Sequence, residues 1–81
     1  MNREQIRTTV LESLRAVAPE ANLSALDGKA DLRDALDIDS MDFLSFVTSM
    51  HTKLKVEIPE RDYREVRTLD ACVDYLSRHV T

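Results

Sequence analysis

The run LDIDSMDFLSF, Leu36 to Phe46, sets the hydroxyl of Ser40 directly after Asp39 and two residues before Asp42. Three chemistries suit such a serine: a nucleophile served by a base, a cap on the first amides of a helix, or a hydroxyl to which another group is attached. A nucleophilic serine needs a base in hydrogen-bond reach, usually histidine, and a third group that orients the base. The chain holds two histidines. His51 follows Ser40 in the same expected helix, about 16 Å further along its axis at 1.5 Å per residue. His79 lies near the C-terminal end, where a surface position is expected. No glycine-rich elbow surrounds the serine, so self-sufficient hydrolase chemistry is not expected. The aspartates at 31, 34, 37, 39 and 42 could suggest a metal, but they miss the spacing of a calcium loop and lack the glycine of its sharp turn. No metal site is expected.

The cap reading is sound on local chemistry. Asp39 or Ser40 can accept a hydrogen bond from a first-turn amide, and Asp42 complements the positive end of the helix dipole. It leaves Met41, which such a start places near the exposed edge, without a role.

The elements that must hold Ser40 can be read from apolar spacing. Ile6, Val10, Leu14 and Val17, with Leu11 beside them, predict a first helix from Arg3 to Ala18, stopped by Pro19. Residues 19–39 show no sustained period and read as a long loop, pinned by Leu23, Leu26, Leu32, Leu36 and Ile38. Loops of that length are often functional. Met41, Leu44, Val47, Met50 and Leu54 then recur at three- and four-residue steps, widened by Phe43 and Phe46, and predict a second helix whose apolar face packs inward, with Met41 at its exposed edge. Ile58-Pro59 breaks the chain, and a short third helix follows over Glu60 to Val66. Thr68 caps a fourth, whose stripe is Leu69, Cys72, Val73, Leu76 and Val80. The expected fold is all-α, a four-helix bundle forming a single domain over residues 1–81, with a long loop between the first two helices and a short third helix. Cys72, at stripe spacing, is expected in the core.

Composition agrees. One glycine, two prolines and 43% apolar residues suit helices better than a turn-rich sheet. A lone cysteine permits no internal disulfide, and the N-terminal residues lack the apolar run of a signal peptide or a membrane span, so a cytoplasmic protein without a membrane segment is expected. The net charge of −4 is concentrated. Between Glu20 and Asp42 seven carboxylates stand against Lys29 and Arg33, while the rest of the chain is nearly neutral. Such a field repels nucleic acid and attracts basic protein surfaces.

The run DSMDFLSFVTSMHTKLKVEIP followed by RTLDACVDYL resembles the acyl carrier protein family. The shared features are D-S-[LM], an apolar helix, the acidic-Ile-Pro break at Glu57-Ile58-Pro59, and a last helix with Val73-Asp74-Tyr75-Leu76. The spacing matches from Leu32 to Leu76, with a compatible first helix at Ile6 to Val17. The resemblance implies the acyl-carrier bundle and a non-catalytic carrier. It implies that Ser40 bears 4′-phosphopantetheine, taken from coenzyme A by a phosphopantetheinyl transferase, and that acyl groups ride on the arm's thiol rather than on Cys72. Acyl-loading and acyl-processing enzymes are the implied partners of a monomer, with Asp39, Met41, Asp42, Ser45 and Thr48 as expected contacts. A peptidyl or aminoacyl carrier of the D-alanyl type, or an unmodified helical interaction module, shares the same features. Two departures stand out. Asp37 and Ile38 replace a glycine that the family usually carries shortly before the serine. The second helix has no acid after Asp42, where many fatty-acid carriers bear several glutamates. Ser45, Thr48, Ser49 and Thr52 stand there instead, which points to dedicated partners in a specialised fatty-acid, lipid or polyketide pathway.

Overall fold

In the computed structural model, which describes residues 1–80, α1 spans Arg3–Val17. Its start is a reciprocal cap: Asn2 accepts from the Gln5 amide at 2.8 Å, and the Gln5 side chain accepts from the Asn2 amide at 2.9 Å. Its end falls at Ala18, just before Pro19. Ile6, Val10 and Leu14 are buried, as their spacing predicted.

The stretch read as an unbroken loop contains two short helical segments. Leu23–Ala25 is a 3-10 turn, and Leu32–Leu36 is an α-helix, α2. Asp31 caps α2, accepting from the amides of Arg33 at 2.9 Å and Asp34 at 3.4 Å. The expected anchors hold: Leu23, Leu32 and Ile38 are buried, and Leu26 and Leu36 pack on the core from partly exposed positions. Backbone bonds tie the same stretch to the far end of the chain, Leu32 N to Arg67 O at 2.7 Å and Asp70 N to Gly28 O at 3.0 Å. At Gly28 a β-carbon would crowd the carboxylate of Asp70, an exposed side chain with room to turn aside.

The second helix of the sequence reading is α3, Ser40–Leu54, and the last is α4, Leu69–His79 with Thr68 as its cap. Glu60–Val66, expected as a short third helix, is helical but of 3-10 type. Helix α1 packs on both α3 and α4, and the 3-10 segment packs on α4. Their shared core holds Phe46, Met50, Val66, Leu69, Cys72 and Leu76. Tyr75 donates to Asp62 at 2.7 Å, and exposed Arg3 pairs with exposed Asp74. Among the described residues there is no strand, and the expected all-α bundle is the fold observed.

On α3 Met41 is exposed, as its place at the helix start suggested, and the departure from the spacing is Leu44. Phe43, Phe46, Val47, Met50 and Leu54 are buried, but Met41 is 70% exposed and Leu44 43% exposed. Phe43, Phe46 and Val47 on the same turns are buried, so Met41 and Leu44 lie at the edge of the packed face, and burial follows the neighbours and not the three- and four-residue rhythm alone.

Candidate functional site

Asp39, not Ser40, is the cap of α3. Its backbone is extended, its side chain accepts from the Asp42 amide at 2.8 Å, and its carbonyl accepts from the Phe43 amide at 3.0 Å. Ser40 is therefore the first helical residue, and its hydroxyl is spared from capping and exposed. The turn that delivers it explains the missing glycine. Asp37 ends α2 with φ 52 and ψ 47, in the left-handed region. Outside glycine, aspartate and asparagine are the residues that enter this region most readily, so Asp37 can hold a turn that glycine would also accept.

The Ser40 hydroxyl oxygen accepts from Arg33 Nη2 at 3.0 Å. A guanidinium remains protonated and has no lone pair to take a proton, so this neighbour cannot act as a general base. His51 is engaged elsewhere, its Nδ1 lying 3.0 Å from the Val56 carbonyl, and His79 stacks on Tyr75 with ring centroids 4.2 Å apart.

Around Ser40 the fold gathers residues that sequence spacing did not connect. A hollow of about 370 Å³ is lined by Arg33 from α2, Ser40 and Phe43 from α3, and Glu60, Tyr63, Arg64 and Arg67 from the segment before α4. Phe43 and Tyr63 meet edge to face at 6.2 Å. Arg67 is held by Asp31 at 2.6 Å. Glu20, Asp27, Asp37 and Asp42 line a separate hollow of about 640 Å³ beside the end of α1. The three-residue spacing of Arg64 and Arg67 places them on one side of a 3-10 segment, but nothing in the sequence joins them to Arg33 or Ser40.

The other expected contact residues fall on one accessible surface. Asp39, Met41, Ser45 and Thr48 are exposed, and Asp42 is half-buried. Cys72 is fully buried, its Sγ 3.4 Å from Met50 Sδ, and burial pushes its thiol pKa up to about 12. It is a core residue, as expected, and no accessible thiol. Among the described residues no three His, Cys, Asp or Glu side chains gather to hold a metal ion, and no helix is long and apolar enough to cross a membrane.

The bundle thus presents an exposed serine at a helix start, bonded to the Arg33 guanidinium. The statistical description of the family termed "phosphopantetheine attachment site" matches residues 4–76. The acyl carrier protein of Rubrobacter xylanophilus is 27% identical over the whole chain and 99% of its own length. That of Kineococcus radiotolerans is 38% identical over 45 residues, 56% of each chain. A solved structure of the acyl carrier protein from Enterococcus faecalis superposes with a TM-score of 0.77 at 21% identity, covering 98% of this chain and 99% of that one, and shares the fold. The chain belongs to the phosphopantetheine-attachment family, that of the acyl carrier proteins. The family's prosthetic group is 4′-phosphopantetheine, held covalently through a phosphodiester. The residues present fit it: an exposed hydroxyl can form the ester, and guanidinium groups beside it suit its negative charge.

Proposed function

We propose that Ser40 is the attachment point, and that the protein is a cytoplasmic monomer that carries acyl groups for a specialised fatty-acid, lipid or polyketide pathway. The observation that carries this reading is the exposed Ser40 hydroxyl at the first position of α3, left free because Asp39 caps the helix. Attachment forms a bond between Ser40 Oγ and the phosphorus next to the pantetheine of coenzyme A. The pyrophosphate bond breaks, adenosine 3′,5′-bisphosphate leaves, and the serine proton goes to a base of the transferase. When bound, the arm supplies a thiol on which acyl groups are held as thioesters.

The partner reading rests on α3. Ser45, Thr48 and Thr52 are exposed, no acid follows Asp42 on this helix, and Lys53 lies 4.0 Å from Glu12 of α1. A basic enzyme surface finds negative charge at the start of α3 but none along it. Hydroxyl and apolar contacts, with Met41 and Leu44 as the exposed apolar pair, serve dedicated loading and processing enzymes.

The test is an intact mass after incubation with coenzyme A and a broad-specificity transferase. Wild type should gain one phosphopantetheine, located at Ser40 by peptide mapping, and Ser40→Ala should gain none. No gain in the wild type would point to an unmodified interaction module, and a gain in the alanine variant would place the arm elsewhere.

A further inference from the structure

The hollow beside Ser40 has a chemistry that attachment alone does not require. Its lining includes three arginines, Arg33, Arg64 and Arg67, against the single acid Glu60, together with the aromatic residues Phe43 and Tyr63. The cations are not equivalent. Arg67 is bound to Asp31, whereas neither Arg33 nor Arg64 lies within ion-pair distance of a carboxylate among the described residues. Two exposed cations without a carboxylate partner among the described residues stand where the family's anion would be made.

Resting on the assignment of the arm to Ser40, we propose that Arg33 and Arg64 clamp its phosphodiester, and that the branched aliphatic start of the arm lies in the hollow against Phe43 and Tyr63. Arg33 Nη2 already donates to Ser40 Oγ at 3.0 Å. After esterification that oxygen is bonded to phosphorus, and the two free phosphate oxygens lie one bond beyond. The same guanidinium reaches them with a small rotation and can offer two parallel donors. Arg64 sits across the hollow, on the segment that the Leu32–Arg67 backbone bond fastens to α2. Arg67 positions this edge through Asp31, which also caps α2 and so sets the direction of Arg33. The geminal methyl groups next to the phosphate then meet the edge-to-face pair of Phe43 and Tyr63. The arm is tethered at both its ester and its phosphate, and its thiol end remains free.

The experiment compares apo and holo forms of the isotope-labelled full chain by nuclear magnetic resonance, after mass confirmation of modification at Ser40. In holo wild type the Arg33 and Arg64 side-chain Nε–H resonances should shift, and the arm's methyl protons should show nuclear Overhauser contacts to the rings of Phe43 and Tyr63. The double variant R33Q/R64Q, whose apo amide spectrum should report an intact fold, should still gain the arm but lose those contacts. The phosphorus resonance should also move between the two holo proteins. Modified wild type without the shifts and contacts overturns the clamp alone, as does a double variant that keeps the contacts. Absence of any mass gain at Ser40 overturns the assignment on which it rests.

Discussion

The division of labour between Asp39 and Ser40 can be measured, because it assigns stability to one residue and modification to its neighbour. Asp39 holds the Asp42 amide at 2.8 Å, and replacing a capping side chain by alanine typically costs about 1 kcal/mol. Its charge faces the positive end of a 15-residue helix, which adds about 0.3–1 kcal/mol. Asp39→Ala should therefore lower stability by about 1–2 kcal/mol. At about 4–8 °C per kcal/mol for a domain of this size, that is a clear loss in Tm. Ser40 is exposed, caps nothing and bonds only exposed Arg33, so Ser40→Ala should stay within about 0.5 kcal/mol of wild type. Asp39→Asn keeps the acceptor and removes the charge, and should fall between the two. Urea unfolding followed by far-ultraviolet circular dichroism, with slopes unchanged across the series, gives the differences directly. The reasoning is refuted if Ser40→Ala loses as much as Asp39→Ala, which would make the serine the cap. It is refuted equally if Asp39→Asn matches the full loss, since charge alone would then account for it.

Met41→Lys should leave the urea midpoint unchanged, since the side chain is 70% exposed, and should slow arm transfer in a timed mass assay. Phe46→Ala, at a fully buried ring, should cost about 3–5 kcal/mol and be visible as a large fall in the same midpoint. Stability should decline in alkali, as burial raises Cys72 from 9.0 to about 12, and burial with the Asp62 hydrogen bond raises Tyr75 from 10.0 to about 12. Above the ordinary values the unfolded chain loses protons that the folded one keeps, so stability is complete below about pH 9 and falls toward pH 12, by about 1.4 kcal/mol per pH unit for the buried Cys72 thiol and by less for Tyr75, which adds to the fall only above about pH 10. Melting curves of Cys72→Ala across this range should show the decline starting about one pH unit later. Ser45→Glu with Thr52→Glu should tighten binding to general fatty-acid enzymes in a salt-dependent way; surface plasmon resonance showing no change would count against the partner reading.

How much of this molecule could be read in advance follows the range of the interactions. Local signals sufficed for α1, α3 and α4: apolar residues at three- and four-residue steps, Pro19 and Pro59 as breaks, and Thr68 and the Asp39–Ser40 pair as a helix start. They placed Cys72 in the core and Ser40 at a helix entry, because both depend on residues a few positions away. Helix α2 escaped because five residues are too few to display a period, and it is held by a cap and by a backbone bond to Arg67. The exposure of Leu44 escaped because a stripe gives the direction of a buried face but not the width that neighbours cover. The choice of Asp39 over Ser40 as cap turned on which side chain the extended residue presents to the Asp42 amide. The arginines beside Ser40 escaped most completely. Arg33 and Arg64 are 31 positions apart, and their meeting depends on packing of the segment before α4 against α2, a distance over which hydropathy carries no record. The sequence alone determined the helices and the serine; tertiary packing decided the serine's surroundings, because those arise between segments and not within them.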